Sequence, residues 1–371
     1  MTGRLRIGML GCGAISAKYL STLARLPELQ LVACADLVRS KAEAVARDWP
    51  EPVEVLEPAE LFRSAAVDVV LNLTVPAAHA TTSLAAIRHG KHVYLEKPLA
   101  TTAEEAMALV SAARSHGVRL ACAPDTVLGT GIQTARAAIA DGLIGRPTAA
   151  NAMLLGGGPD NRHPNPHFFY QPGAGPLMDM GPYYVTALVT LLGPTERVSA
   201  LGHRSSSTRP ITDGPNVGGS IDVAVDTHVS ASLLHADGAL STLVTSFDAP
   251  AASRMPRIEI YGTAGSLGVP DPNQFSGPVV IKTVGAPEWE TVPESAGYVD
   301  GARGIGLADL AAAIDGGFEH RASSELAAHV VEVLEAIQRS SSSGQAVDVS
   351  YRPEPPTAVP STALFSERVT A

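Results

Sequence analysis

Over its first 145 residues the chain alternates short β-rich runs with amphipathic helical stretches, and few folds tolerate that order. Each apolar run has to rejoin the same sheet after a helix, which makes the strands parallel and covers both faces of the sheet with helices. Leu5–Leu10, Leu29–Ala35, Val53–Val55, Val69–Leu73, His92–Leu95 and Val118–Ala121 read as the strands. Ala14–Leu26, Ser40–Asp48, Pro58–Ser64, Ala78–His89, Ala103–His116 and Gly131–Asp141 read as the helices between and after them. Right-handed crossovers leave a doubly wound α/β sheet as the economical topology.

Ligands of such a sheet sit outside the carboxyl ends of its strands, so the first turn is informative. It reads Gly8-Met9-Leu10-Gly11-Cys12-Gly13-Ala14-Ile15-Ser16, with Ser16 where a full dinucleotide fingerprint has its third glycine. Gly11 permits the tight turn, and Gly13 lets a pyrophosphate approach the backbone of Cys12, Ala14 and Ile15 at the start of a helix. Asp36 follows 23 residues after Gly13, at the end of the second strand. A carboxylate there accepts hydrogen bonds from an adenosine ribose and repels a 2′-phosphate, so NAD is expected. Arg39, able to pair with a phosphate, leaves NADP open, and Asp36 also suits a plain cap for the next helix.

A length of 371 residues suits two domains. The net charge of -10, without any Lys/Arg run, gives a nucleic acid no electrostatic footprint to bind. No stretch approaches about 18 uninterrupted apolar residues, and Met1–Arg6 runs straight into a strand, so neither a membrane segment nor a targeting signal is expected. Cys12, Cys34 and Cys122 are odd in number and match no zinc spacing. They read as small buried hydrophobes in a reducing cytoplasm, with no structural metal.

From about Pro147 the texture changes to alternating strands without helices between them: Ala149–Leu155, Val198–His203, Asp226–Leu234, Leu240–Ser246, Arg257–Tyr261 and Val279–Thr283. Period-two alternation predicts an α+β domain with a large, mostly antiparallel, open-faced sheet, covered on one side by a helix over Met180–Leu192. Gly306–Gly316 and Ser323–Ser340 read as further helices. The expected division is a cofactor domain over 1–125, a substrate-binding and oligomerisation domain over 126–350, and a Pro-rich tail over 351–371 that need not pack. The helix over 323–340 is a candidate to pack back toward the first domain. An open sheet face predicts a homodimer or homotetramer.

Three segments carry candidate chemistry. The fifth strand ends in Tyr94-Leu95-Glu96-Lys97-Pro98, which brings Lys97 to the crevice where a nicotinamide lies. A desolvated lysine there can stabilise an alkoxide, although the segment equally fits a surface lysine paired with Glu96. Asp179 and Tyr183, four residues apart, share one side of a helix, and Asp179 also suits an N-cap. In the long loop Gly156–Gly175, Arg162, His163, Asn165 and His167 offer donors and acceptors to a hydroxyl-rich ligand, or else face solvent. Neither histidine has a carboxylate or thiol at ligand spacing, so no metal is expected.

Glu96-Lys97-Pro98 after the fifth strand resembles the glucose–fructose oxidoreductase, inositol dehydrogenase and MocA (Gfo/Idh/MocA) family. Thr74-Val75-Pro76 with His79, Gly142-Leu143-Ile144-Gly145, Asp179-Met180-Gly181-Pro182-Tyr183, Arg303-Gly304 and the helix with His329 and Glu332 are similar to it too, over nearly the whole chain. The resemblance implies an N-terminal Rossmann domain, a C-terminal α+β domain and NAD(P)-dependent oxidation of CH–OH groups. It implies Lys97, Tyr183 and Asp179 as catalytic residues, and Asn72, Thr74, Pro76, His79, Glu96 and Lys97 among the cofactor contacts. Tyr183 stands where the family often has His; it would exchange the substrate proton, with Lys97 depressing its pKa and Asp179 holding a hydroxyl or orienting Lys97. The implied substrate is a sugar, glycoside or cyclitol. Two alternatives stay open: a glycoside hydrolase that oxidises and eliminates on a retained NAD, and a nicotinamide-binding regulator without catalysis.

Overall fold

Six strands, β1 (Leu5–Leu10), β2 (Leu29–Ala35), β3 (Glu54–Val55), β4 (Val69–Asn72), β5 (His92–Leu95) and β6 (Leu120–Cys122), form a parallel sheet in the order β3-β2-β1-β4-β5-β6. The structure, a computed structural model, describes residues 4–251, 253–359 and 362–363. The unbroken apolar runs of the sequence are explained by burial on both faces: Ile7, Met9, Val69, Val70, Val93 and Tyr94 are all 0% exposed. Five helices connect the strands, α1 (Ser16–Leu23), α2 (Arg39–Asp48), α3 (Pro58–Arg63), α4 (Pro76–Arg88) and α5 (Ala103–His116). The strand order reverses between β1 and β4, which sets the crevice at their carboxyl ends.

After α6 (Thr130–Ala140) comes a nine-stranded sheet built from β7 (Pro147–Leu155), β8 (Thr195–His203), β11 (His228–His235), β12 (Leu240–Ser246), β13 (Ile258–Gly262), β14 (Gly265–Val269), β15 (Val279–Thr283), β16 (Glu290–Val292) and the short strand Val347–Asp348. All neighbours pair antiparallel except β7 and β12. A separate hairpin, β9 (Thr208–Pro210) with β10 (Ser220–Asp222), lies outside this sheet. α7 (Gly175–Leu192) packs on β7, β11 and β12. On β8 and β11, Val198, Ala200, Val229, Ala231 and Leu233 are buried, while their opposite-facing neighbours include Leu201 at 73% exposure.

α7 begins five residues before the expected Met180. Gly175, Pro176, Gly181 and Pro182 are poor helix formers, but burial of nearly every residue of α7 outweighs local propensity. Asp179 therefore lies inside the helix; the N-cap is Ala174, and the capping role expected as one option for Asp179 is overturned. β9, β10 and β16 escaped the sequence reading because three residues are too few to show alternation, and β14 because Gly265 and Gly268 dilute it.

The first sheet belongs to a unit of three segments, Met1–Gln133, Ser295–Val331 and Pro356–Ala371; the second belongs to Thr134–Glu294 with Glu332–Pro355. Within the first unit the returning chain supplies α8 (Ile305–Gly316) and opens α9 (Ser324–Ser343). Ala322 accepts the Cys122 N–H at 2.9 Å beside β6. Asp125 Oδ2 accepts the Gly304 and Gly306 N–H groups at 2.8 and 3.0 Å, at the start of α8. The tail, which on its composition need not pack, does pack in its described part. Val359 is 0% exposed, its N–H donates to Gln133 Oε1 at 2.9 Å, and Arg321 Nε donates to the Ala358 carbonyl at 3.2 Å. An extended Pro-rich segment keeps its backbone groups available for such side chains. Residues 360, 361 and 364–371 of the tail, and residues 1–3, lie outside the described residues. Among the described residues no helix is long and apolar enough to cross a membrane.

Candidate active site

Gly11 closes the turn after β1 at φ +93°, and a Cβ there would stand 2.7 Å from the Leu73 carbonyl oxygen, so only glycine fits. At Gly13 a Cβ would meet nothing within 4 Å, so the backbone opens on free space where α1 starts. No side chain caps α1 at Ile15; among its first amides, Ser16 N–H donates to the Gly13 carbonyl at 3.1 Å and Lys18 N–H to the Ile15 carbonyl at 3.0 Å. Asp36 accepts the Cys12 N–H on Oδ2 and the Val38 N–H on Oδ1, both at 2.8 Å, which ties the glycine turn to the end of β2. Each carboxylate oxygen retains further acceptor capacity. Leu37 at 95% and Val75 at 62% exposure hold apolar side chains in water at the carboxyl ends of β2 and β4. Arg39 is engaged by Glu43 and Glu57, each at 3.1 Å, among exposed side chains. These residues fit a dinucleotide.

The loops after β4 and β5 are fixed from inside. Asn72 is fully buried, its Nδ2 donating to Thr82 Oγ1 (2.7 Å) and Ser83 Oγ (3.0 Å), its Oδ1 accepting from Thr74 Oγ1 (2.7 Å) and the Thr74 N–H (3.2 Å). The Asn72 amide is thereby committed to shaping the loop. Pro76 opens α4, where a missing N–H costs nothing. His79, fully buried, places Nδ1 2.6 Å from the Pro98 carbonyl and Nε2 3.0 Å from that of Thr74. Burial pushes its pKa down while the two carbonyls pull it up. Burial prevails, and the pKa lies below the ordinary histidine value.

Glu96, 8% exposed, accepts the Tyr19 hydroxyl at 2.8 Å on Oε1 and the Lys97 N–H at 3.0 Å on Oε2. Lys97 is half-buried where the chain leaves β5. Burial first, then the charge of Glu96, pushes the Tyr19 pKa far up, so Tyr19 stays protonated and donates. Neither Tyr19 nor Asp125 stood out in the sequence, because nothing local distinguishes a buried tyrosine of a helix from a core residue.

In the second unit Asp179, half-buried, and Tyr183, 5% exposed, occupy successive turns of α7 on one face. Pro182 lies between them, and its carbonyl accepts Thr186 Oγ1 at 2.6 Å. Arg162, Asn165 and His167 are exposed. His163 is half-buried; its Nδ1 accepts the Asn165 N–H at 3.0 Å and its ring meets Phe169 edge-on at 4.9 Å. Phe168, 47% exposed, packs on Phe169 at 5.2 Å.

This loop has a core of its own. Tyr170, Ile211, Ile221, Val223 and Phe247 cluster beneath it. Arg209 Nε donates to Asp160 Oδ2 and its NH1 to Asp248 Oδ1, both at 2.7 Å, and its NH2 to the carbonyls of Gly157 and Phe247. Tyr170 donates to the other oxygen of Asp160. Asn161 Nδ2 to Thr212 Oγ1 and Asn216 Nδ2 to the Pro164 carbonyl, both 3.0 Å, fasten the loop to the β9–β10 segment. The partners lie about fifty residues apart in sequence, a separation at which no local pattern reveals them. Among the described residues no group of three or more His, Cys, Asp or Glu side chains is placed to hold a metal ion.

Known proteins share this fold. A family described as oxidoreductases with an NAD-binding Rossmann fold matches residues 5–123, and one described as the GFO/IDH/MocA C-terminal domain matches residues 132–268. An inositol 2-dehydrogenase of Agrobacterium fabrum is 42% identical over 118 residues, 31% of this chain and 35% of the relative. The chain thus spans about a third of the length of the curated relatives it matches at that level. A trans-1,2-dihydrobenzene-1,2-diol dehydrogenase of Bos taurus is 27% identical over 284 residues, 75% of this chain and 78% of the relative. The crystal structure of an NAD-binding oxidoreductase from Klebsiella pneumoniae superposes with a TM-score of 0.82 at 25% identity, covering 94% of this chain and 99% of that one.

Proposed function

We propose a dehydrogenase function from one premise: the chain belongs to the Gfo/Idh/MocA family of oxidoreductases with an NAD-binding Rossmann fold. The reaction is reversible oxidation of a secondary hydroxyl of a sugar, glycoside or cyclitol to the ketone. NAD, when bound, accepts the hydride. The observation that carries this reading is Lys97 on an internally braced turn at the carboxyl end of β5, in a unit whose Gly11–Gly13 turn suits a dinucleotide. Tyr183, acting as its phenolate, takes the hydroxyl proton, the Lys97 ammonium stabilises the oxygen as it becomes an alkoxide, and Asp179 accepts a hydrogen bond from a substrate hydroxyl. The polyol class is supported by relatives named for inositol and for trans-1,2-dihydrobenzene-1,2-diol. Arg162, Asn165 and His167, exposed beside the ring of Phe168, are the groups we assign to recognising it. A screen of sugars, glycosides and cyclitols against NAD and NADP, read by absorbance of the reduced nicotinamide, tests the reading; no net turnover with any of them overturns it.

The cofactor choice rests on Asp36. Asp36→Ala is expected to weaken NAD binding about 10- to 100-fold, by loss of one or two charge-assisted hydrogen bonds to the ribose. NADP binding is expected to fall much less, since repulsion of its 2′-phosphate is relieved as the brace on Cys12 is lost. Titration of both cofactors by fluorescence decides; equal losses would reduce Asp36 to that brace.

The sheet of the second unit carries Leu201 and Leu240, 73% and 50% exposed, with half-buried Leu234, Val244 and Met153. Such a surface favours self-association into a dimer or tetramer. A monomeric mass by light scattering at micromolar concentration would defeat this expectation.

A further inference from the structure

We propose that Tyr19 is a positioning residue for Lys97, acting through the Glu96 carboxylate from α1, the helix that follows the Gly11–Gly13 turn. The role assigned to Lys97 in turnover rests on the dehydrogenase reading above; the bracing of its backbone rests on geometry alone.

One buried carboxylate serves two elements. Its Oε1 takes the Tyr19 hydroxyl at 2.8 Å and its Oε2 takes the Lys97 N–H at 3.0 Å, so α1 is connected to the backbone from which the lysine side chain departs. The far side of the same dipeptide is held as well, by His79 Nδ1 at 2.6 Å from the Pro98 carbonyl. Lys97 therefore starts from a backbone restrained both before and after it.

The Tyr19 hydroxyl has little freedom to leave its partner. The ring is 0% exposed and meets Tyr94 edge-on at 6.2 Å. A Cβ on Gly304 would stand 3.1 Å from Tyr19 Cδ1, and one on Gly306 would stand 2.6 Å from Tyr94 Cε2, so bare backbone packs against both rings. Asp125 holds that backbone through the two glycine N–H groups. Phenylalanine would fill the same space, and the hydroxyl adds the bond to Glu96. Ionisable groups that face this carboxylate include Tyr19, Tyr94, Cys122 and His79.

Tyr19→Phe in the full chain removes the bond and keeps the ring. The reactivity of Lys97 toward acetic anhydride, followed by mass spectrometry with exposed Lys18 and Lys41 as internal references, is expected to rise severalfold as its backbone loosens, with the references unchanged. On a substrate found in the screen, kcat is expected to fall about 10- to 100-fold with KM for NAD unchanged, as for a displaced reacting group. Wild-type labelling of Lys97 in the variant would overturn the proposal, even if the melting temperature fell, because the hydroxyl would then serve stability alone. Raised labelling with unchanged kcat would overturn its relevance to turnover. A wild-type protein that turns over no polyol would defeat the dehydrogenase reading, and the labelling result would still decide whether Tyr19 positions Lys97.

Discussion

Lys97→Ala and Tyr183→Phe are each expected to lower kcat by about 10²–10⁴-fold, the usual contribution of a positioned acid or base, with little change in NAD affinity. Both groups act on charge that develops at the substrate oxygen, and neither is asked to contact the adenosine half of the cofactor. Because they serve one proton-transfer step, the double variant is expected to lose much less than the product of the single losses. Steady-state kinetics on all three proteins measures this; strict multiplicativity would mean independent roles. If Tyr183→Phe proves silent while Asp179→Asn is inactive, the proton passes to Asp179 or to a bound water.

The largest stability effect is expected at Arg209. Its side chain is 16% exposed, between Asp160 at 8% and Asp248 at 19%. Arg209→Met would leave two carboxylates buried without a counter-charge, which costs about 3–5 kcal/mol for breaking a buried pair. The loss is expected to be local, as faster hydrogen exchange over 156–171, 208–223 and 247–248, since the network and its small core lie in those segments. Asp160→Asn with Asp248→Asn in the Arg209→Met background is expected to recover much of the loss. Exchange equal to wild type in the single variant would show that solvent already screens these charges.

What could be read from the sequence was local or periodic. The largely apolar runs of β1, β2 and β5 and the Thr102-to-Gly117 frame of α5 state their structure within a few residues. Thr102 Oγ1 accepts the Glu105 N–H at 3.2 Å, and Gly117 takes the left-handed φ of +65° that ends the helix. Gly11, Asp36, Lys97 and the spacing of Asp179 and Tyr183 were legible for the same reason. Three kinds of feature were not. The start of α7 at Gly175 reverses local propensity through burial. The Asp160–Arg209–Asp248 network joins residues that only the folded chain brings together. Tyr19 and Asn72 differ from ordinary interior residues solely in where their polar atoms are spent, which is decided by partners up to 77 residues away.

The composition of the first unit from separated segments bears on how the protein is made. Chain emerges at about 5–20 residues per second, so Ser295 follows Gln133 by on the order of ten seconds or more. Throughout that interval β6 lacks the Ala322 carbonyl beside it, and the Asp125 carboxylate lacks the amides of Gly304 and Gly306. The nascent sheet therefore waits with an uncovered edge and with the Asp125 carboxylate still open to water. An N-terminal fragment cut near residue 133 would remain in that condition permanently, and nascent chains stalled there are expected to be better substrates for proteases than full-length protein, although the Gly11–Gly13 turn has already been synthesised.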